Sequence, residues 1–186
     1  MWNKISRVLI VVLAVCLFYG GTQCGSETKG AKPARIDVSS SAFQEGAVIP
    51  KLYTCDGKNI SPPMTWGAVP DRTQSIALIC DDPDAPRGTF VHWVLFNLPP
   101  ETRGLPENVP VGKTLANGAK HGAGSSKKNG YLGPCPPSGV HRYYFKVYAL
   151  DSKLNIESGI TKEKLLKAMG GHVLAEGQLM GTYKRQ

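Results

Sequence analysis

Phe90-Val91-His92-Trp93-Val94-Leu95-Phe96-Asn97-Leu98 is the stretch on which the fold turns. It is rich in β-branched and aromatic residues, has strand length, and reads as a β-strand. Its one ionisable member is His92, and a lone histidine on an apolar strand is ordinarily a hydrogen-bonded core residue. Working outward, Ser75 to Cys80 is a continuous apolar run of strand length. His141 to Leu150 alternates as another strand, which puts His141 and Tyr143 on one face and Arg142 on the other. Ile36-Asp37-Val38 reads as a first strand. Pro62-Pro63 and Pro134-Cys135-Pro136-Pro137 cannot be central strands. One helix is indicated, with Thr161 as N-cap, Leu165, Leu166 and Met169 as its apolar stripe, and Gly170-Gly171 as its stop. His172 to Tyr183 reads as a closing strand. The expectation is a mostly β domain, an antiparallel β-sandwich or barrel-like core with a helix in the C-terminal region.

The N-terminus is set apart. Lys4 and Arg7 precede a charge-free apolar stretch from Val8 to Tyr19, and the small residues Gly20, Gly21 and Thr22 follow. That is the layout of a secretory signal, too short for a comfortable membrane span of roughly 20 residues. Residues 1–24 are therefore expected to be a signal peptide, with Cys24 offering a lipoprotein variant despite the poor match of Gly21-Thr22-Gln23. Residues 25–35 read as a flexible linker, and 36–186 as a single domain. The 21 Gly and 14 Pro are spread along the chain, which suits strands joined by turns better than disorder. The net charge is +8, of which Lys4 and Arg7 supply two, leaving +6 on the exported part. Its basic residues are scattered, and Lys127-Lys128 sits in a Gly/Ser loop without interleaved aromatics, so no nucleic acid is expected.

Export changes the reading of the cysteines. Cys80 lies in an apolar run and is a small buried hydrophobe. Cys55 and Cys135 both lie in turn-rich segments and are the natural disulfide pair in an oxidising compartment. A zinc site is the rival, but neither Cys-x-x-Cys nor closely spaced histidines support it, so no metal and no cofactor are expected.

Familiar catalytic motifs fail. Gly112-Lys113-Thr114 ends like a phosphate-binding loop, yet Glu107 stands where its first glycine should be, and no Gly-x-Ser-x-Gly occurs. Three polar constellations remain. Asp82-Pro83-Asp84-Ala85-Pro86 follows the buried run, and two prolines hold its carboxylates with little entropy left to lose. His92-Trp93 is the second. Gly133-Pro134-Cys135-Pro136-Pro137-Ser138-Gly139-Val140-His141-Arg142-Tyr143 is the third.

In this order and spacing, with Asn97, the opening Tyr53-Thr54-Cys55-Asp56-Gly57, Trp66 and the ending Gly171-His172 to Arg185, these motifs resemble the phosphatidylethanolamine-binding protein (PEBP) family, in its bacterial and archaeal Raf-kinase-inhibitor-like branch. The resemblance covers Ile36 to Arg185. It implies a pocket at one end of the β-fold formed by Asp82, His92 and His141, with Pro86, Gly133 and Tyr143 nearby. A histidine beside a carboxylate keeps its proton more readily and can donate to an oxyanion, and backbone N–H groups of the Gly133 turn can add donors. One departure is the stretch His121 to Gly130, which lacks a polar Asn-Asp-aromatic segment common in bacterial relatives. His121 is expected to be an exposed loop residue, and His172 a helix C-terminal cap.

The resemblance thus implies a binding protein for a phosphate ester or phospholipid head group, and the signal-like N-terminus adds the expectation of export to the periplasm or cell envelope. Peripheral membrane association and regulation of a kinase or protease by contact accompany that expectation. The competing classes are a hydrolase using Asp82, His92 and His141 for acid–base chemistry, and an envelope protein with a vestigial pocket. No activated serine or cysteine is evident, so the chain is expected not to be an enzyme.

Overall fold

The structure, a computed structural model, describes residues 32–185. The expected signal segment, Cys16, Cys24 and the linker up to residue 31 lie outside the described residues. Among the described residues nine strands and one α-helix follow one another, with a 3-10 turn at Lys51–Tyr53 between the second and third strands: β1 (Ala34–Arg35), β2 (Val38–Ser39), β3 (Met64–Trp66), β4 (Ser75–Asp82), β5 (Phe90–Leu98), β6 (Gly104–Leu105), β7 (Lys120–His121), β8 (His141–Leu150), α1 (Lys162–Met169) and β9 (Val173–Tyr183). They build a six-stranded sheet in the order β1-β9-β8-β4-β5-β7 and a three-stranded sheet in the order β2-β3-β6. Pairing is antiparallel except for β1, which runs parallel to β9.

The large sheet is covered on both faces. Ile76, Leu78, Trp93, Leu95, Phe145 and Val147 pack with Met64, Trp66 and Leu105 of the small sheet. On the opposite face Ala77, Ile79, Val94 and Phe96 pack with Leu165 and Met169 of α1. Alternate residues of β4 therefore enter two different cores, which is why its sequence is continuously apolar rather than alternating. Burial of each large side chain contributes about 1.5–3 kcal/mol. The helix is capped by Thr161, whose hydroxyl accepts from the Lys164 amide. Its stripe is narrower than expected, because Leu166 remains 39% exposed.

The expected first strand is split in two. Ile36 donates its N–H to Glu176 of β9, and Asp37 accepts from Gly67 beside the small sheet, so the chain changes sheets between them. At that crossing a Cβ on Gly177 would stand 1.8 Å from the Ile36 carbonyl oxygen, a distance only glycine permits. The ordered pairing also begins earlier than Ile36, at Ala34 of the expected linker.

Asp81, at the end of β4, faces α1. Its carboxylate, 2% exposed, accepts from Lys146 Nζ of β8 at 2.9 and 3.1 Å and makes a short contact with Lys162 Nζ, the first residue of α1. One carboxylate thus ties the helix to the sheet. Cys55 and Cys135 form a disulfide with Cα atoms 5.4 Å apart, and Cys80 is a buried free thiol, as the sequence led us to expect.

His121 is a correction. It is not an exposed loop residue but fully buried on β7. Its Nδ1 accepts from the Trp93 indole N–H at 3.2 Å and its Nε2 donates to the Pro110 carbonyl at 3.2 Å. Those roles require a neutral ring, because a second ring proton would face the indole N–H. Burial, first of all, lowers the His121 pKa below the usual 6.5, and the same holds for His92. In the unfolded chain both rings protonate near 6.5, so the unfolded state binds more protons as pH falls. Their contribution to stability is complete above about pH 6.5 and is lost as pH drops from there toward the folded values. Thermal melts in an anion-poor buffer should show Tm falling between about pH 7 and pH 5, with a shallower slope in His121→Gln. A Tm that is flat across this window would contradict the neutral, buried assignment.

Candidate ligand-binding site

The site forms where β4, β5 and β8 end together. In the β4–β5 ladder Cys80 pairs with Trp93 and Asp81 with Val91, so His92 is an inserted residue, a β-bulge. Strict alternation from Trp93 would have turned His92 with Val94 toward α1. The bulge re-aims it to the other face, a use of bulges common beside functional sites. There the His92 ring meets Tyr143 edge-on at 5.2 Å and Phe90 at 4.9 Å. His92 also pairs outward, accepting from Leu132 N–H at 2.9 Å and donating from Nδ1 to the Leu132 carbonyl at 2.7 Å. That bond fixes the tautomer: Nδ1 carries the proton, and Nε2 presents a lone pair.

Asp82 and His141 face each other across the ends of β4 and β8. Asp82 Oδ2 accepts from His141 Nδ1 at 2.7 Å, with both side chains buried, and Asp82 Oδ1 accepts from the Asp84 amide at 2.8 Å. Asp84 is clamped in turn by Arg142, whose Nε and Nη2 reach its two oxygens at 2.9 and 2.6 Å while the Arg142 amide adds a third bond. The guanidinium holds the Asp84 carboxyl down at about 2. Arg142 does lie on the exposed face opposite His141 and Tyr143, as alternation required. Its bidentate hold on the Asp-Pro-Asp loop was not read from the sequence.

These residues border a cavity of about 690 Å3 lined by Asp82, Pro86, His92, Gly133 and His141, with apolar walls from Phe90, Leu132, Pro136 and Pro137. Tyr143 lies beneath, wholly buried. Among the described residues, the buried side-chain atoms without a hydrogen-bond partner are His92 Nε2 and Tyr143 Oη. The Tyr143 phenol is driven well up, mainly by burial and then by the nearby Asp82 charge, so it stays protonated, although no well-formed hydrogen bond joins it to Asp82. A wider cleft of about 890 Å3 runs along the β1–β9 edge, but it carries charges of both signs, including Arg35, Asp37 and Glu176, and none of the orphaned groups. The smaller cavity is therefore the better candidate.

The structure thus brings together Asp82, Pro86, His92, Gly133, His141 and Tyr143. Gly133 serves differently than expected. Its N–H is taken by Asn59 Oδ1 at 2.7 Å, so it is not a free donor, and a Cβ there would meet the Tyr53 carbonyl at 2.4 Å. Sequence reading missed Asn59, Arg87 and Ser125. Arg87 and Ser125 line the cavity, and Ser125 Oγ accepts from the Val91 amide at 2.8 Å. His172 stays outside: its amide donates to Met169 and its ring bonds Asp151. Among the described residues no cluster of three or more His, Cys, Asp or Glu side chains is arranged to hold a metal ion.

The profile of the phosphatidylethanolamine-binding protein family matches residues 39–184. A UPF0098 protein of Methanothermobacter thermautotrophicus is 53% identical over 150 residues, 81% of this chain and 99% of its own length. Among solved structures, the PEBP homologue CT736 of Chlamydia trachomatis superposes with a TM-score of 0.76 at 42% identity, over 82% of this chain and 99% of its own. YbcL of E. coli, described as a member of the mammalian PEBP family, gives 0.75 at 29% identity over 82% of this chain and all of its own. Matched along nearly its whole β-domain, the chain belongs to the phosphatidylethanolamine-binding protein family.

Proposed function

We propose that the cavity binds a small anion, a phosphate ester or a phospholipid head group, on a floor made by Asp82, His92, His141 and Tyr143. The chain would act as an exported binding protein of the cell envelope rather than as a hydrolase. The observation that carries this reading is the pair of orphaned atoms, His92 Nε2 and Tyr143 Oη. An unpaired buried polar group costs about 1–3 kcal/mol, and such groups persist where a ligand completes them. Tyr143 offers an O–H donor, and His92 Nε2 becomes a donor once protonated. His141 has its Nδ1 proton held by Asp82, which leaves its Nε2 without a hydrogen bond among the described residues. A bound oxyanion supplies the negative charge that an imidazolium needs, so binding takes up protons and tightens as pH falls.

Hydrolysis is the weaker reading. The cavity's serine, Ser125, is bonded to a backbone amide rather than a histidine, and its cysteine, Cys135, is oxidised. Export is supported by the layout of the first 24 residues and by the disulfide itself. The test is calorimetric titration of the purified protein with sulfate, whose charge is constant between about pH 5.5 and pH 8, and with inorganic phosphate. Sulfate should bind more tightly at the lower pH, and His141→Ala should weaken phosphate binding by roughly 1.5–3 kcal/mol. Equal affinity in wild type and His141→Ala would remove the floor as the binding site.

A further inference from the structure

The cavity is far larger than one small anion requires, and its charge is unevenly placed. On the floor, Asp82 is engaged by His141 and by the Asp84 amide, and Asp84 is neutralised by Arg142. Arg87 is the one Arg or Lys in the cavity lining; it is exposed and has no acidic partner among the described residues. The lining residue Ser125 belongs to a tight turn, closed by Lys127 N–H to the Gly124 carbonyl at 2.9 Å and Gly124 N–H to the Lys128 carbonyl at 3.1 Å. Lys127 and Lys128 are both exposed and likewise without an ion pair. This turn does not float. Ser125 lines the cavity and is strapped to Val91 by two bonds, Ser125 N–H to the Val91 carbonyl and Val91 N–H to Ser125 Oγ, one residue from the floor histidine.

Between mouth and floor the wall is apolar, supplied by Phe90, Leu132 and the prolines. Resting on the floor reading above, we propose that Arg87 and the Lys127–Lys128 turn form a second anion subsite, so that the cavity takes a bis-anionic ligand. One anionic group sits on the floor, a short apolar segment lies along the proline wall, and the second anion meets the cations at the mouth. The cations carry the physics: uncompensated charge beside a low-dielectric wall concentrates anions at the entrance and adds charge-assisted hydrogen bonds. The second anion can be part of one soluble molecule or can belong to an anionic lipid surface from which a head group enters.

The experiment uses the whole chain and three probes: inorganic phosphate, a bisphosphate with a propylene spacer, and phosphatidylcholine vesicles with and without phosphatidylserine. The bisphosphate should bind wild type roughly tenfold more tightly than phosphate at low salt. In Arg87→Gln, and in Lys127→Gln with Lys128→Gln, the loss for the bisphosphate should exceed the loss for phosphate by roughly tenfold, and the difference should shrink in high salt. His141→Ala should weaken both soluble probes alike. Arg87-dependent binding to phosphatidylserine vesicles without preference for the soluble bisphosphate assigns the second anion to a lipid surface. Equal affinity of wild type for phosphate and bisphosphate, together with vesicle binding indifferent to Arg87, overturns the second subsite while leaving the floor standing. Failure of phosphate and bisphosphate to bind at all overturns the floor reading instead.

Discussion

Serine at both Cys55 and Cys135 is expected to lower the free energy of unfolding by roughly 4 kcal/mol, enough to remove much of the stability of an ordinary domain. The bridge spans 80 residues of sequence. In the chain-entropy account a cross-link over so long a loop takes the most freedom from the unfolded state, although some of that gain is commonly offset. Local anchors would remain around the break. The Tyr131 hydroxyl donates to the Tyr53 carbonyl, Gly133 N–H to Asn59, and Cys55 N–H to the Pro134 carbonyl. The folded state of the serine variant should therefore keep its shape, with the change lying in the unfolded chain. Urea unfolding should show a lower midpoint and a somewhat steeper slope, because the freed chain exposes more surface. A change below about 1 kcal/mol would mean that the bridge contributes little beyond those hydrogen bonds.

Asp81→Ala should cost about 3 kcal/mol, the low end of what breaking a buried ion pair costs. The carboxylate is almost wholly enclosed, and its two ammonium partners, Lys146 and Lys162, are 29% and 17% exposed. Removing the aspartate leaves two like charges side by side with no counter-ion, and only partial escape to water offsets the penalty. Lys162→Met is the control. It deletes one cation but leaves Asp81 paired with Lys146, and it should be close to neutral, because an apolar replacement avoids the desolvation that the pair requires. Chemical denaturation of both variants decides the matter. Equal losses in the two would show that the cost lies in the lost Asp81–Lys162 contact rather than in leaving two ammonium groups without a counter-ion.

The long strands were legible because burial on one or both faces leaves a direct mark on sequence. Phe90–Leu98 and His141–Leu150 have the expected bounds, and Ser75–Cys80 extends only to Asp82. The small sheet was not legible, since strands of two or three residues such as β2, β3 and β6 are too short to show a period. His121 failed for the same reason: it sits on a two-residue strand amid glycines, and its burial depends on Trp93 and Pro110. Within the site, Asp82, His92 and His141 could be named from their motifs. The device that makes His92 useful could not. A bulge is a property of pairing between two strands, and period-two reading of one strand places His92 on the wrong face. The Asp84–Arg142 clamp and the Asn59–Gly133 bond join residues 58 and 74 positions apart, and nothing local announces either.

The disulfide also closes residues 55 to 135 into a covalent ring that holds Asp82, His92 and Gly133, with His141 and Tyr143 outside it. The exposed Lys127-Lys128 peptide lies inside that ring, at a loop tip of the kind trypsin attacks. A single cut there would not separate the chain, because Cys55 stays on one fragment and Cys135 on the other. The nicked molecule would migrate intact on a thiol-free gel and fall into two pieces only with reductant. Hydrogen bonds on both flanks of the cut, Ser125 to Val91 and Leu132 to His92, would keep its edges in place. Clipped protein could thus pass unnoticed through purification with its pocket assembled and the basic turn that carries Ser125 severed.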